Sequence, residues 1–413
     1  QLGPREVLQL SSGRYAVAIS WDRHGAPVDV DLQCCVVDQR GVVIDAVYYN
    51  NMKAQRCITH SGDERTGDRS GLDEVIWAGL ARMPEEVRML VFVVAAHSGG
   101  HLRDVRNGLI HILEERKDNE LARISMEKSD QDVDVVALML RSGRGWELRV
   151  VDEPAQEGQH FMDVLEPTMG NLVRKVIPTA PKRLKVAFAM EKGSVVDLPG
   201  TSSLHSITAG LGWDVLGRGV DLDVSAVLFD SKAAVVDTVF FGKLNGCGLV
   251  HSGDNLTGAG EGDDEQIQCN LEQVPSAVQQ IFFTVHVYTK HVTFEKVSNA
   301  YCRIVDSSRN ELARYNLREA GSESGLIMAR LFREPNAQRW GFQALGTYSR
   351  GSMWKDSVAD MVEIFRKAPR ELQLRGQTTI EFSGGGGASG GPAPVTEVRG
   401  PSGACGPEKC VLQ

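Results

Sequence analysis

Apolar and polar residues alternate with a period of two through much of this chain. Val220 to Phe229 alternates, Ile281 to Tyr288 is apolar and rich in β-formers, and Tyr301 to Val305 is a shorter run of the same kind. A period of two sends successive side chains to opposite faces of a strand. Short runs of this type, divided by Gly, Asn, Asp and Pro, predict antiparallel β-sandwich architecture. Helical periodicity is sparse and best carried by Leu326 to Phe332 and Ser357 to Phe365. The pattern therefore predicts a mainly-β protein with a few short helices. Its longest apolar run, Met89 to Ala96, falls far short of the roughly 20 residues that span a bilayer.

The pattern also repeats. HSGDERTGDRSGLDE, from His60 to Glu74, returns as HSGDNLTGAGEGDDE from His251 to Glu265, an offset of 191. Asn119 to Arg123 returns as Asn310 to Arg314, and Pro84 as Pro275, at the same spacing. Upstream, Trp21-Asp22 matches Trp213-Asp214 and Asp29-Val-Asp31 matches Asp221-Leu-Asp223, with one residue of slippage. Landmarks that hold register over this distance mark a tandem duplication. The sequence divides into a first domain at 1–178, an extended linker at Ile177 to Pro181, a second domain at 182–367, and a Gly/Pro-rich flexible tail at 375–413. The tail glycines are not a phosphate-binding loop, because no Lys-Ser/Thr follows them.

Composition narrows the function classes. The 413 residues carry a formal net charge of -9, which argues against a nucleic-acid binder and fits a protein that gathers cations. The eight cysteines show no zinc-like spacing; Cys35, Cys269 and Cys302 lie in apolar runs and read as small core residues. Gln1 to Asp22 has no basic segment followed by an apolar stretch, so the expected location is cytoplasmic.

The charge concentrates where the repeat is tightest. Asp221 and Asp223 project from one face of a strand, while Leu222 and Val224 face the other way. Asp254 to Glu265 adds five carboxylates with no Lys or Arg, and glycines at 258, 260 and 262 let that backbone turn and aim its carbonyls inward. Ca²⁺ takes six to eight oxygens, roughly 2.3–2.6 Å away, from such groups. An EF-hand is excluded, because Leu256, Gly258 and Ala259 stand where that loop needs Asp/Asn, Asp/Asn and Gly.

Gly219 to Asp223, His251 to Gly258, Gly262-Asp-Asp-Glu265, Asn310 to Tyr315 and Trp340 to Gly346 resemble the successive motifs of the tellurium-resistance TerD-type family. The resemblance spans nearly all of the second copy. It implies a two-sheet sandwich that binds adjacent Ca²⁺ ions through its strand aspartates and its Gly-Asp-Asp-Glu loop. Carried over by motif, the ligand candidates are Asp221, Asp223, Asp254, Asn255, Asp263, Asp264 and Glu265, with backbone oxygens near Thr257 and Gly258. The first copy keeps Asp29, Asp31, Asp63, Thr66, Gly67, Asp73 and Glu74. There Glu64 replaces Asn255, Leu72 replaces Asp263, Arg69 replaces Gly260 and Arg65 replaces Leu256. Each added arginine opposes a cation by on the order of 1 kcal/mol or more at 4 Å, even in water. The first site is therefore expected to be the weaker.

Histidines 97, 101, 111, 286 and 291 read as packed or surface residues rather than a metal site. Trp21, Trp146, Trp213 and Trp340 read as duplicated core aromatics. No metalloprotease, nucleophile-elbow or dinucleotide-binding motif occurs. The last residues, Cys410-Val-Leu-Gln413, fit a prenylation signal, with Cys405 upstream available for a second lipid. The expectation is a non-enzymatic, Ca²⁺-binding stress-response protein that recruits protein partners. Its lipidated tail would hold it peripherally on the cytoplasmic face of a membrane. The alternative is a metal-dependent hydrolase using the same acidic cluster.

Overall fold

Strand Val87–Ser98 shows why the run Met89 to Ala96 is continuously apolar: both its faces are buried. Leu90, Phe92 and Val94 point into the core between two sheets, while Met89, Val91 and Val93 point out of the sandwich into a second apolar layer. A strand covered on both sides needs no polar alternation.

In this computed structural model the described residues are 7–11, 13–22, 28–68, 71–115, 119–143, 145–151, 153–199, 204–215, 220–253, 262–317, 321–334 and 339–375. The tail motif at Cys410 lies outside them, as does Cys405. Each copy is a sandwich of a seven-stranded and a six-stranded sheet. In the first copy the larger sheet runs in the order Val7–Leu10, Gly145–Val150, Val133–Ser142, Val87–Ser98, Asp29–Asp38, Val42–Val47, Lys185–Val186. Facing it are Asn119–Ser125, Arg106–Glu114, Arg14–Asp22, Glu74–Gly79, Ile58–His60 and Lys53–Ala54. In the second copy the six-stranded sheet runs Val195–Asp197, Trp340–Ser349, Gly325–Arg333, Val278–Val287, Leu222–Asp230, Val235–Phe240. The named strands pair antiparallel except at the linker. There Lys185–Val186 joins Val42–Val47 of the first copy in parallel, and Phe188–Met190 joins Glu311–Asn316 of the second.

The duplication is visible in geometry as well as letters. Leu10 pairs with Trp146, and Leu198 N–H donates to Trp340 O at 2.8 Å, so Val7–Leu10 and Val195–Leu198 are equivalent. Arg141 lies over Trp146 at 4.9 Å and Arg333 over Trp340 at 4.3 Å. The four duplicated tryptophans are all buried, as are Cys35, Cys269 and Cys302.

One expected helix is a strand. Leu326 to Phe332 lies within Gly325–Arg333, hydrogen-bonded on both sides, to Val278–Val287 and Trp340–Ser349. Leu, Met, Ala and Arg favour helices, but a central strand is decided by cross-strand and facing neighbours, which override that preference. The other expectation holds: Val358–Phe365 is a helix whose Met361 and Ile364 cover Val227, Phe229, Phe282 and Ile327. In the first copy Gly170–Val176 takes this covering role. Helix Pro369–Arg375 lies between the domain end at 367 and the tail start at 375 that the sequence pattern indicates.

The copies meet through buried polar groups. Tyr48 OH accepts from Asp197 N–H at 2.9 Å, and Tyr49 OH donates to Asp197 Oδ2 at 3.2 Å. Asn50 Nδ2 donates to Glu334 Oε1 at 2.5 Å, and Arg339 pairs with Asp163 at 2.6 Å. Among the described residues no helix is long and apolar enough to cross a membrane.

Candidate metal centre

Asp29 and Asp31 share one face of strand Asp29–Asp38, at its start, on the side turned away from the sandwich core. Asp63 comes from the loop after Ile58–His60. That loop is held by its first motif residue. His60 Nδ1 accepts from Gly62 N–H at 3.1 Å, which makes Nε2 the protonated nitrogen, and Nε2 donates to Leu32 O at 3.1 Å. Glu74 is fully buried and clamps the same backbone, accepting from Leu32 N–H at 2.8 Å and Glu64 N–H at 3.1 Å. Asp73 Oδ2 accepts from Trp21 N–H at 2.8 Å. Gly67 has φ +64°, and a Cβ there would lie 2.5 Å from the Trp21 indole nitrogen, so only glycine closes this turn. Thr66 Oγ1 donates to Glu64 Oε1 at 2.7 Å.

The result is a cluster in which carboxylate oxygens of Asp29, Asp31 and Asp63 all lie within 4.8 Å of one another. Asp29 Oδ1 and Asp31 Oδ2 are buried without a hydrogen-bond partner. Buried carboxylate oxygens are normally hydrogen-bonded; the nearest nitrogen to Asp31 Oδ2 that an ion pair could use is His97 Nδ1, at 3.5 Å. Burial first, then the charge of Asp63, pushes the Asp29 carboxyl up to about 7. Burial, reinforced by Glu74 and Asp29, pushes Asp31 well above the usual carboxylate range. Crowded, desolvated acids resist ionisation unless a cation sits among them.

Two guanidinium groups already approach. Arg65 Nε and Nη2 donate to Asp63 Oδ2 at 3.0 and 2.8 Å. Arg370, from helix Pro369–Arg375 of the second copy, reaches the same oxygen at 3.2 Å. The carboxylates open into a cavity of about 370 Å³ lined by both copies, with Asp29, Asp31 and Asp63 on one side and Arg330, Glu334 and Arg370 on the other.

The second copy repeats the frame. His251 Nδ1 accepts from Gly253 N–H at 3.1 Å and Nε2 donates to Val224 O at 3.2 Å. Glu265 Oε2 accepts from Val224 N–H at 2.9 Å, and Asp264 Oδ2 from Trp213 N–H at 2.8 Å. Asp223 is buried and Asp221 half-buried at the equivalent strand start. Asp254, Asn255, Thr257 and Gly258 lie outside the described residues, as does Arg69.

Asp263 is turned elsewhere. It is held by Arg303 Nε at 2.8 Å and Tyr301 OH at 2.9 Å, against Gly210, where a Cβ would come within 2.1 Å of its Oδ2. Position 263 thus belongs to a network with the strands Ser206–Val215 and Val297–Asp306. Leu72 stands at this position in the first copy. The arginine at 65 bears on the first copy's carboxylates, as expected from its charge. Sequence reading passed over His60 and His251 as loop anchors, although both head the repeated motif, and it had no signal for Arg370, which lies 307 residues from Asp63. His286 donates or accepts at Ser357 Oγ, 2.8 Å away, as a packed histidine. His97 Nδ1, at 3.5 Å from Asp31 Oδ2, stands at the rim of the cluster.

The family profile of the TerD domain matches residues 8–162 and again 186–355. The chain belongs to the TerD-domain family. The relatives match over about the length of one TerD domain. The tellurium resistance protein TerZ of Serratia marcescens is 42% identical over 176 residues, covering 39% of this chain and 90% of the relative. General stress protein 16U of Bacillus subtilis (strain 168) is 39% identical over 183 residues, covering 41% and 94%. A solved homologue of the telluride resistance protein from Streptomyces coelicolor A3(2) is 22% identical with a TM-score of 0.33, over 36% of this chain and 94% of that one.

Proposed function

We propose that this tandem TerD-domain protein is a non-enzymatic Ca²⁺-binding stress-response module that passes its cation-bound state to protein partners. The observation that carries this reading is the convergence of Asp29, Asp31 and Asp63 with two buried, unbonded carboxylate oxygens. Hard oxygen donors without nitrogen or sulfur suit Ca²⁺ or Mg²⁺ rather than a transition metal. The ligands come from a strand and a Gly-containing loop, an arrangement that accommodates the larger, less demanding Ca²⁺ better than a strict Mg²⁺ octahedron. In the first copy Asp29, Asp31 and Asp63 would hold the ion once Arg65 and Arg370 release Asp63. In the second copy Asp221 and Asp223 would serve with Asp254 and Asn255. Asp264, Glu265, Asp73 and Glu74 act through the backbone they fix. The relatives named for stress and tellurium resistance support the physiological side of this reading.

The test is the thermal midpoint of the intact chain in chelator, in Ca²⁺ and in Mg²⁺. A ligand bound only by the folded state stabilises it by about 2.7 kcal/mol at one hundred times its dissociation constant. The expected outcome is a midpoint raised several degrees by Ca²⁺ and much less by equal Mg²⁺. A midpoint indifferent to Ca²⁺ at millimolar concentration would overturn the reading.

A further inference from the structure

The first copy uses one end of its larger sheet to dock onto the second copy, and among the described residues no strand covers the equivalent end of the second copy. Asp38 and Asp230 close equivalent strands, and the turn bridges Tyr48–Asn51 and Phe240–Lys243 keep the same offset of 192. Val43 is therefore equivalent to Val235, Tyr49 to Phe241 and Met52 to Leu244. The ring pair Tyr49–His97, with centroids 5.4 Å apart, has its counterpart in Phe241–Tyr288 at 6.2 Å. Val43 is 0% exposed and Tyr49 8%, whereas Val235 is 39% and Phe241 37% exposed; Leu244 and Tyr288 are exposed too. Val42–Val47 is covered by Lys185–Val186, while Val235–Phe240 is the last described strand of its sheet. A bare edge beside contiguous apolar side chains is a docking surface, and proteins rarely leave one without a use.

The complementary face identifies the occupant. Within the chain, Tyr48 and Asn51 meet Val195, which is 3% exposed; its equivalent in the first copy, Val7, is 48% exposed. Two of the polar pairs change together on both sides. Tyr49 donates to Asp197, and Asn50 to Glu334, across the internal interface. In the bare pair Phe241 and Gly242 replace the two donors, while Gln9 and Ser142 replace the two acids. The third polar pair, Arg339 with Asp163, changes on one side only, to Gly145 and Asp356, and Lys243, paired with Asp237, stands in the place of Asn51. We propose that the second copy's bare face takes the first copy of another molecule of this chain, so that chains associate head to tail as the two copies do within one. Such an interface is heterologous and adds molecules without using up its own surfaces until it closes.

Sedimentation of the full chain in chelator tests this independently of any cation. The wild type should gain mass with concentration, through dimers to longer species. Phe241→Asp and Val7→Asp, both at exposed positions, should each be monomeric at every concentration, with unchanged circular dichroism and melting. Mixed in equal amounts, the two variants should form a 1:1 dimer and nothing larger, because one intact face of each kind remains. A wild type that stays monomeric into the millimolar range, association unaffected by Val7→Asp, or a mixture that remains monomeric would each overturn the proposal; the second outcome would point to a symmetric contact of like faces instead.

Discussion

At the scale of residues, the repeated aspartates read correctly from the sequence as partners on one face, because alternation along a strand is a local property. The direction of Asp263 was not legible, since it depends on Arg303 and Tyr301 from another strand. Asp263→Asn is expected to leave Ca²⁺ affinity unchanged while lowering stability by about 1–3 kcal/mol through its charged hydrogen bonds. Calorimetry beside chemical denaturation separates the two effects. Arg65 and Arg370 compete with any cation for Asp63, so Arg65→Ala and Arg370→Ala should each tighten Ca²⁺ binding to the first copy several-fold. Unchanged affinity in both would mean that the guanidinium groups lie outside the cation's reach. Only the first of these residues could be suspected from the motif; the other arrives by folding from the far end of the chain.

At the scale of elements, strands divided by turn residues were legible because a half-buried strand writes its burial into a period of two. The failure at Leu326 to Phe332 arose where that period is missing. Gly325–Arg333 is central in its sheet, with Leu326, Met328 and Leu331 in one apolar layer, Ile327 in another, and Arg330 buried. Arg330 ties the strand to its covering helices, donating to Gln343 Oε1 at 2.9 Å and to Ile364 O and Lys367 O at 3.2 Å. Met361 is the fully buried contact between the helix Val358–Phe365 and this sheet. Met361→Ala is expected to cost about 2–5 kcal/mol, as for buried Met elsewhere. A loss below about 1 kcal/mol in urea unfolding would show that the helix contributes little to the sheet it covers.

At the scale of the whole molecule, the sequence revealed two copies but not how they join. Asp197 and Glu334 are buried side by side at their junction. Burial first pushes Asp197 up to about 6 and drives Glu334 well above its ordinary range, with the neighbouring Asp197 adding to that rise. Folded-state values above the unfolded ones mean that stability present below about pH 4 is lost as pH rises through about 6. Glu334→Gln keeps an acceptor for Asn50 and removes one of the two charges. It should raise the melting midpoint near pH 7.5, with the gain shrinking toward about pH 5. A pH-independent difference would locate the strain elsewhere. The central claim concerns the paired strand aspartates, and a calorimetric titration of the intact chain with Ca²⁺ reaches it most directly. The wild type should show saturable binding, Asp31→Asn and Asp223→Asn should each remove the sites of one copy, and the double variant should show no binding heat. Wild-type Ca²⁺ heat persisting in the double variant would contradict the account.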